Sequence, residues 1–129
     1  MATAIDTSVL IEAEHGGSLD DLTNLGEGPF YVPPHAAAEF LMGVLLVKNP
    51  HTASKARRFY EDEIRPLIDV FGEVEAERLA SLNVALRKAG QSMGFYDATI
   101  AATVLARQHT LMTADDDFDR VPGLDLVKI

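Results

Sequence analysis

Three carboxylates each stand as the only formal charge in a long apolar stretch: Asp6 within residues 1–11, Glu39 within 28–47 and Asp97 within 90–106. An ionised carboxylate stranded in packed apolar surroundings costs several kcal/mol, as an order of magnitude, unless something compensates it. No Lys or Arg lies in any of the three stretches, and a fourth acidic group follows at Asp115, Asp116, Asp117 and Asp119. Basic residues folding back from elsewhere are one remedy; a divalent cation shared by all four segments is the more economical one. A hard cation such as Mg²⁺ prefers oxygen ligands, keeps several waters and commonly takes only one or two protein carboxylates directly, so the remaining acids would orient waters. Such a site suits phosphodiester cleavage, because the metal lowers the pKa of water, neutralises the phosphate and stabilises the leaving oxygen. Without metal, clustered carboxylates repel and raise some of their own pKa values, which ties metal binding to pH.

Each acid also has a plainer reading. Asp6 and Asp97 suit helix caps or first-turn acids, Glu39 suits a helix face turned to water, and an acidic loop at 115–119 suits a solvated surface. Thr7, Ser8 and Thr113 flank the acids and suit either hydrogen bonds that orient a carboxylate or metal-bound water, or ordinary turn and strand-end roles. His15, His35, His51 and His109 lack metal-ligand spacing and an evident nucleophile to activate. There is no GxxxxGK[ST] loop, no GxGxxG and no HExxH, which removes the usual nucleotide, dinucleotide and zinc-protease readings.

The elements that must position these acids alternate between strand and helix. Thr3 to Asp6 reads as a short buried strand and Val9 onward as a helix, which puts Asp6 at a strand's carboxyl end. Phe30 to Val32 reads as a second strand, with Pro33-Pro34 turning into a helix from about Ala36 to Val47. Apolar residues surround that helix on nearly every face, as expected of an element packed between a sheet and other helices. Thr52 caps a helix through about Glu63, and Pro66 to Val70 reads as a third strand. Glu73 to Lys88 has helical apolar spacing, acids in its first turn and bases in its last. Tyr96 to Gln108 forms another helix with Asp97 in its opening turn. Thr110 to Thr113 and Leu124 to Lys128 are final strands around a turn-rich piece at 115–122. The expected class is α/β, a three-layer α/β/α sandwich with a mostly parallel sheet. In open sheets of this kind ligands bind beyond the carboxyl ends of the strands, where Asp6, Glu39, Asp97 and Asp115 could converge.

A chain of 129 residues without an obvious linker fits a single domain over 1–129. Hydrophobic and charged fractions of 47% and 24% are ordinary for a globular protein, and no apolar run approaches a membrane span. The N-terminal stretch lacks a basic region and carries Asp6, which argues against a secretory signal. Absence of cysteine excludes thiolate and disulfide chemistry and is compatible with the cytoplasm, the expected location. A net charge of −9 argues against a polyanionic partner. Distribution softens that objection: residues 1–47 hold seven acids and no Lys or Arg, whereas Lys48, Lys55, Arg57 and Arg58 form a run without an acid. That run is either a patch for phosphates or a solvated helix face.

The segments AIDTSVLIE, AAAEFLMGV, GFYDATIAATVLA and TLMTADDDFDRVPGL together resemble, in order and over nearly the whole chain, the PIN-domain ribonucleases, particularly the VapC-type toxins of bacterial toxin–antitoxin pairs. The resemblance implies an α/β/α sandwich, Mg²⁺- or Mn²⁺-dependent endonucleolytic cleavage of RNA, a homodimer, and inhibition by a small cognate antitoxin. Asp6, Glu39, Asp97 and Asp115 match the family's acidic quartet, and Asp117 matches a further acidic position, so Asp115 and Asp117 compete for the fourth place. Other readings are a housekeeping RNA-processing nuclease of the same fold, a phosphorelay receiver domain and a silent interaction module. The receiver would want paired acids after its first strand and a Lys near its last, yet Asp6 is unpaired and no Lys occurs between Lys88 and Lys128.

Overall fold

A computed structural model describes residues 2–16 and 18–129. Its centre is β1 (Thr3–Ile5), whose three residues are all buried, as a strand covered on both faces requires. β2 (Phe30–Tyr31) pairs with one side of β1 and β3 (Thr110–Thr113) with the other, and β4 (Asp125–Lys128) pairs with β3. Every pairing is parallel, in the order β2-β1-β3-β4, with Ala4 facing Tyr31 on one side and Leu111 on the other.

Among the described residues six α-helices connect and cover the sheet: α1 (Thr7–Gly16), α2 (Asp20–Thr23), α3 (Pro34–Leu46), α4 (Pro50–Phe59), α5 (Glu73–Lys88) and α6 (Phe95–Arg107). α3 packs against α1, and α5 against α6; because crossovers between parallel strands are right-handed, the helices leaving β1 and the α5–α6 pair that leads back to β3 lie on opposite faces. The strand order reverses between β1 and β3, and that crevice is where an open α/β sheet offers a site.

The expected strand over 66–70 contracts to a single bridge. Tyr60–Ile64 wind as a π-helical turn and Arg65–Leu67 as a 3-10 turn, so only Ile68 is extended beside Val32. The Val32 amide donates to the Leu67 carbonyl at 2.9 Å, and the Asp69 amide donates to Val32 at 3.1 Å. Pro66 has no N–H to give a ladder. The helix expected from Thr52 begins earlier, because Asn49 is its cap and accepts from the His51 and Thr52 amides at 2.9 and 3.1 Å.

Burial of the helices also departs from expectation. α3 exposes Met42, Leu45 and Leu46, at 46%, 76% and 78%. The helix enclosed on nearly every face is α6, in which every residue from Ala98 to Val104 is buried. Three alanines in that run let α6 approach its neighbours closely, and it packs against α5, α3 and β3. Its far end is clamped by Arg107, which donates to Asp69 Oδ2 at 2.9 Å and to the Val70 carbonyl, and lies over the Tyr31 ring at 5.0 Å. Fixed there, α6 carries its first turn to the carboxyl edge of the sheet.

Candidate active site

Asp6 follows β1 directly, and its amide extends the ladder by donating to the Met112 carbonyl at 3.0 Å. Its own carbonyl accepts from Val9 and Leu10, so one residue ends the strand and opens α1. The side chain is 3% exposed. Oδ2 accepts from Ser8 Oγ at 2.7 Å and from Thr113 Oγ1 at 2.8 Å, which locks the carboxylate between the ends of β1 and β3. Ser8 Oγ also accepts from the Ala114 amide at 3.0 Å, and Thr113 Oγ1 from the Asp115 amide at 3.0 Å. The two hydroxyls therefore tie Asp6 to the loop that carries Asp115. Oδ1 of Asp6 is buried and has no hydrogen-bond partner among the described residues. Burial pushes the Asp6 carboxyl above its ordinary pKa, while the hydrogen bonds from Ser8 and Thr113 pull it back.

Asp97 comes in on the first turn of α6. Asp97, Asp115 and Asp117 each place a carboxylate oxygen within 4.8 Å of the other two. Burial, followed by the charges of Asp6, Glu39, Asp115 and Asp117, pushes Asp97 up to about 6. All five sequence-predicted acids thus act on one locus, although Asp6 and Glu39 stand outside the closest group. Glu39, in the second turn of α3, is partly buried. Among the described residues none of the five forms an ion pair.

The acidic loop divides by direction. Asp115 Oδ1 accepts from the Asp117 amide at 2.9 Å and starts the 3-10 turn Asp116–Arg120, which Phe118 anchors in the core. Asp116 and Asp119 turn to the other side and accept from Lys128 Nζ at 2.6 and 3.0 Å. The Lys128 hydrogen bond holds Asp116 below the usual carboxylate range. Two of the four loop acids are neutralised in this way, and two face Asp97.

The basic run fares differently. Arg57 and Arg65 both pair with Glu61, at 3.3 and 2.8 Å, and Lys55 and Arg58 share a cavity with Glu14, Asp62 and Glu63. Much of its field is offset by the acids that follow it. Two imidazoles have structural neighbours: His35 lies edge-on to Phe71 and Phe95, and His109 Nδ1 lies 2.9 Å from the Tyr31 hydroxyl. Phe95, two residues before Asp97 and 65% exposed, is a further candidate that the pattern of lone charges does not single out. An aromatic side chain with no core role, immediately upstream of a site acid, is a signal that the GFYD segment already contained.

The residues fit a hard divalent cation. Every donor is an oxygen, negative charge accumulates without an internal counter-charge, and a buried carboxylate oxygen of Asp6 is left unsatisfied.

Comparison with known proteins agrees with this geometry. A family model described as the PIN domain matches residues 3–124. Ribonuclease VapC1 of Rickettsia felis is 31% identical over 100% of this chain and 97% of its own length. The structure of VapBC2 from Rickettsia felis bound to a promoter DNA fragment superimposes with a TM-score of 0.82 at 21% identity, over 99% of this chain and 98% of that one. VapBC-5 of Mycobacterium tuberculosis, a member of the VapBC family of toxin–antitoxin systems, gives 0.81 at 22%, again over 99% and 98%.

Proposed function

This chain belongs to the PIN-domain family, and we propose on that footing that it is a divalent-cation-dependent endoribonuclease, the toxin of a type II toxin–antitoxin pair. The observation that carries the reading is the convergence of Asp97, Asp115 and Asp117 within 4.8 Å, with no ion-pair partner among the described residues. The printed name of its Rickettsia felis relative, a ribonuclease, supports RNA as the substrate, and the VapBC likeness supports a small antitoxin as a partner.

Asp97, Asp115 and Asp117 would hold Mg²⁺, or Mn²⁺ in its place, with Asp6 and Glu39 orienting water around it. When bound, the cation lowers the pKa of water and neutralises charge on the phosphodiester. The chain's own contribution is alignment. Ser8 and Thr113 fix Oδ2 of Asp6 and leave Oδ1 free to accept a proton or a water hydrogen at the crevice. Their bonds to the amides of Ala114 and Asp115 hold the loop acids in register with Asp6. Met42, Leu45 and Leu46, at helical spacing on α3, leave an apolar strip that supports burial against protein, in a homodimer or by the antitoxin. A cytoplasmic location is compatible with the cysteine-free chain and is supported by an RNA target.

The test is cleavage of a mixed RNA pool by the purified chain in Mg²⁺, Mn²⁺ or EDTA, with the ends mapped. We expect cutting with either cation, none in EDTA, and a loss of at least about a hundred-fold in Asp97→Asn. Asp115→Asn and Asp117→Asn, run side by side, rank the two competitors for the fourth place. RNA left intact by the native chain in all three conditions, or cut equally well by Asp97→Asn, sinks the reading.

A further inference from the structure

A chain of net charge −9 that cuts RNA must hold a polyanion beside its own acids, and in the basic run near α4 Arg57 is paired with Glu61 while Lys55 and Arg58 share a cavity with three acids. We propose that a cavity between the last turns of α5 and the first turn of α6 seats a nucleotide flanking the cut, with Phe95 stacking on its base and Arg87 meeting its phosphate; this rests on the nuclease reading above.

The cavity, of about 380 Å³, is lined by Asn83, Arg87, Gln91, Met93, Phe95 and Ala98 among others. Its position follows from topology. α5 and α6 are joined by residues 89–94, so the C-terminal end of α5 lies beside the N-terminal end of α6, the end that carries Asp97. Ala98, in the cavity wall, is the residue after Asp97, about 100° away around the helix. A strand whose phosphate lies at the acids and which crosses the first turn of α6 therefore meets the cavity with a neighbouring nucleotide.

Its lining matches that ligand in three respects. Phe95 is 65% exposed yet held in place, with His35 and Tyr96 edge-on at 5.8 and 5.5 Å between ring centres. A fixed, solvent-facing ring is what a base stacks on. Arg87 is the cation in the lining and forms no ion pair among the described residues. Its guanidinium is free to take a phosphate as a fork. Asn83 and Gln91 each bring an amide with both donors and an acceptor, the chemistry that reads the edge of an unstacked base. An unpaired cation and two amides around one ring favour a nucleotide over an apolar peptide side chain.

The experiment uses the RNA pool to map the cut made by the native chain, then a short RNA containing that cut to measure kcat and KM for Phe95→Leu, Phe95→Tyr and Arg87→Gln at several salt concentrations. We expect Phe95→Leu to raise KM on the order of ten-fold with kcat changed less than about two-fold, and Phe95→Tyr to restore it. Its mapped cuts should show a relaxed base preference beside the scissile bond. Arg87→Gln should lower the salt slope of log KM by roughly 0.7, the share of one phosphate on a single strand. Both side chains are exposed, so far-UV circular dichroism should match the native chain. Unchanged KM, salt slope and cut pattern in Phe95→Leu and Arg87→Gln, while the native chain cuts RNA, overturns this inference alone. If the same variants instead change the molar mass in light scattering, the cavity belongs to a protein contact and the inference is likewise overturned. A native chain that leaves RNA intact removes the nuclease reading and this one with it.

Discussion

Asp97 shows how a single side chain records the whole site. Its carboxyl is raised from an ordinary 3.8 to about 6 by burial and by four neighbouring acids. The folded chain therefore holds more protons than the unfolded one between those two values, and its stability falls as pH rises through that window. Asp97→Asn removes the strain of the ionised form. After discounting for partial exposure we expect a gain of about 1–2 kcal/mol above pH 7 without divalent cation, or roughly 3–10 °C in Tm. The advantage should vanish below about pH 4. Thermal melts of both proteins across pH check this, and a variant no more stable than the native chain at pH 7.5 contradicts the crowding of acids around Asp97. Asp6, Glu39 and Asp97 are legible in the sequence because each is a lone charge in an apolar stretch. The choice within Asp115 to Asp119 is not, because it is made by Lys128, which reaches the loop through the pairing of β4 with β3. No local pattern encodes a partner 9 to 12 residues away across a sheet register.

At the level of elements, the strand–helix alternation was readable because β1, β3 and α5 carry strong local signals: a short buried run, a second one, and helical spacing between acidic and basic ends. What failed was local propensity where tertiary contact decides. Residues 66–70 look like a strand, yet the 3-10 turn at Arg65–Leu67 leaves only Ile68 to pair. α3 and α6 are similarly apolar in sequence, and only packing determines that α6 is enclosed while α3 shows Met42, Leu45 and Leu46 to solvent. α6 in turn depends on its C-terminal clamp. Arg107→Met should leave the Val70 carbonyl and the buried Glu75 without their cation, costing about 1–3 kcal/mol. The midpoint of urea unfolding should fall accordingly, while cleavage per folded molecule stays near the native value because the clamp lies at the opposite end of α6 from Asp97. A midpoint equal to the native one shows that the clamp is dispensable.

The molecule as a whole gathers negative charge at one crevice, where no cation among the described residues pairs with it, so the fold should be most sensitive to what occupies that crevice. Adding Mg²⁺ or Mn²⁺ at pH 8 should raise Tm, by the equivalent of about 2.7 kcal/mol at one hundred times the dissociation constant, and EDTA should reverse the gain. At pH 5 the same addition should do less, because the proton on Asp97 competes with the cation. Calorimetry at the two pH values measures both, and an equal rise at each argues that the cation binds elsewhere. The bond between Asp6 and Thr113 spans 107 positions of sequence. During synthesis, Asp6, Glu39 and Asp97 all leave the ribosome before the hydroxyl that aligns the first of them and before Asp115 and Asp117. A chain that has emerged only through α6 carries Asp6, Glu39 and Asp97 but not yet the Thr113 hydroxyl that fixes Asp6 or the two loop acids that stand with Asp97. The acidic group is thus completed only by the last part of the chain to be made, whichever acid is counted first.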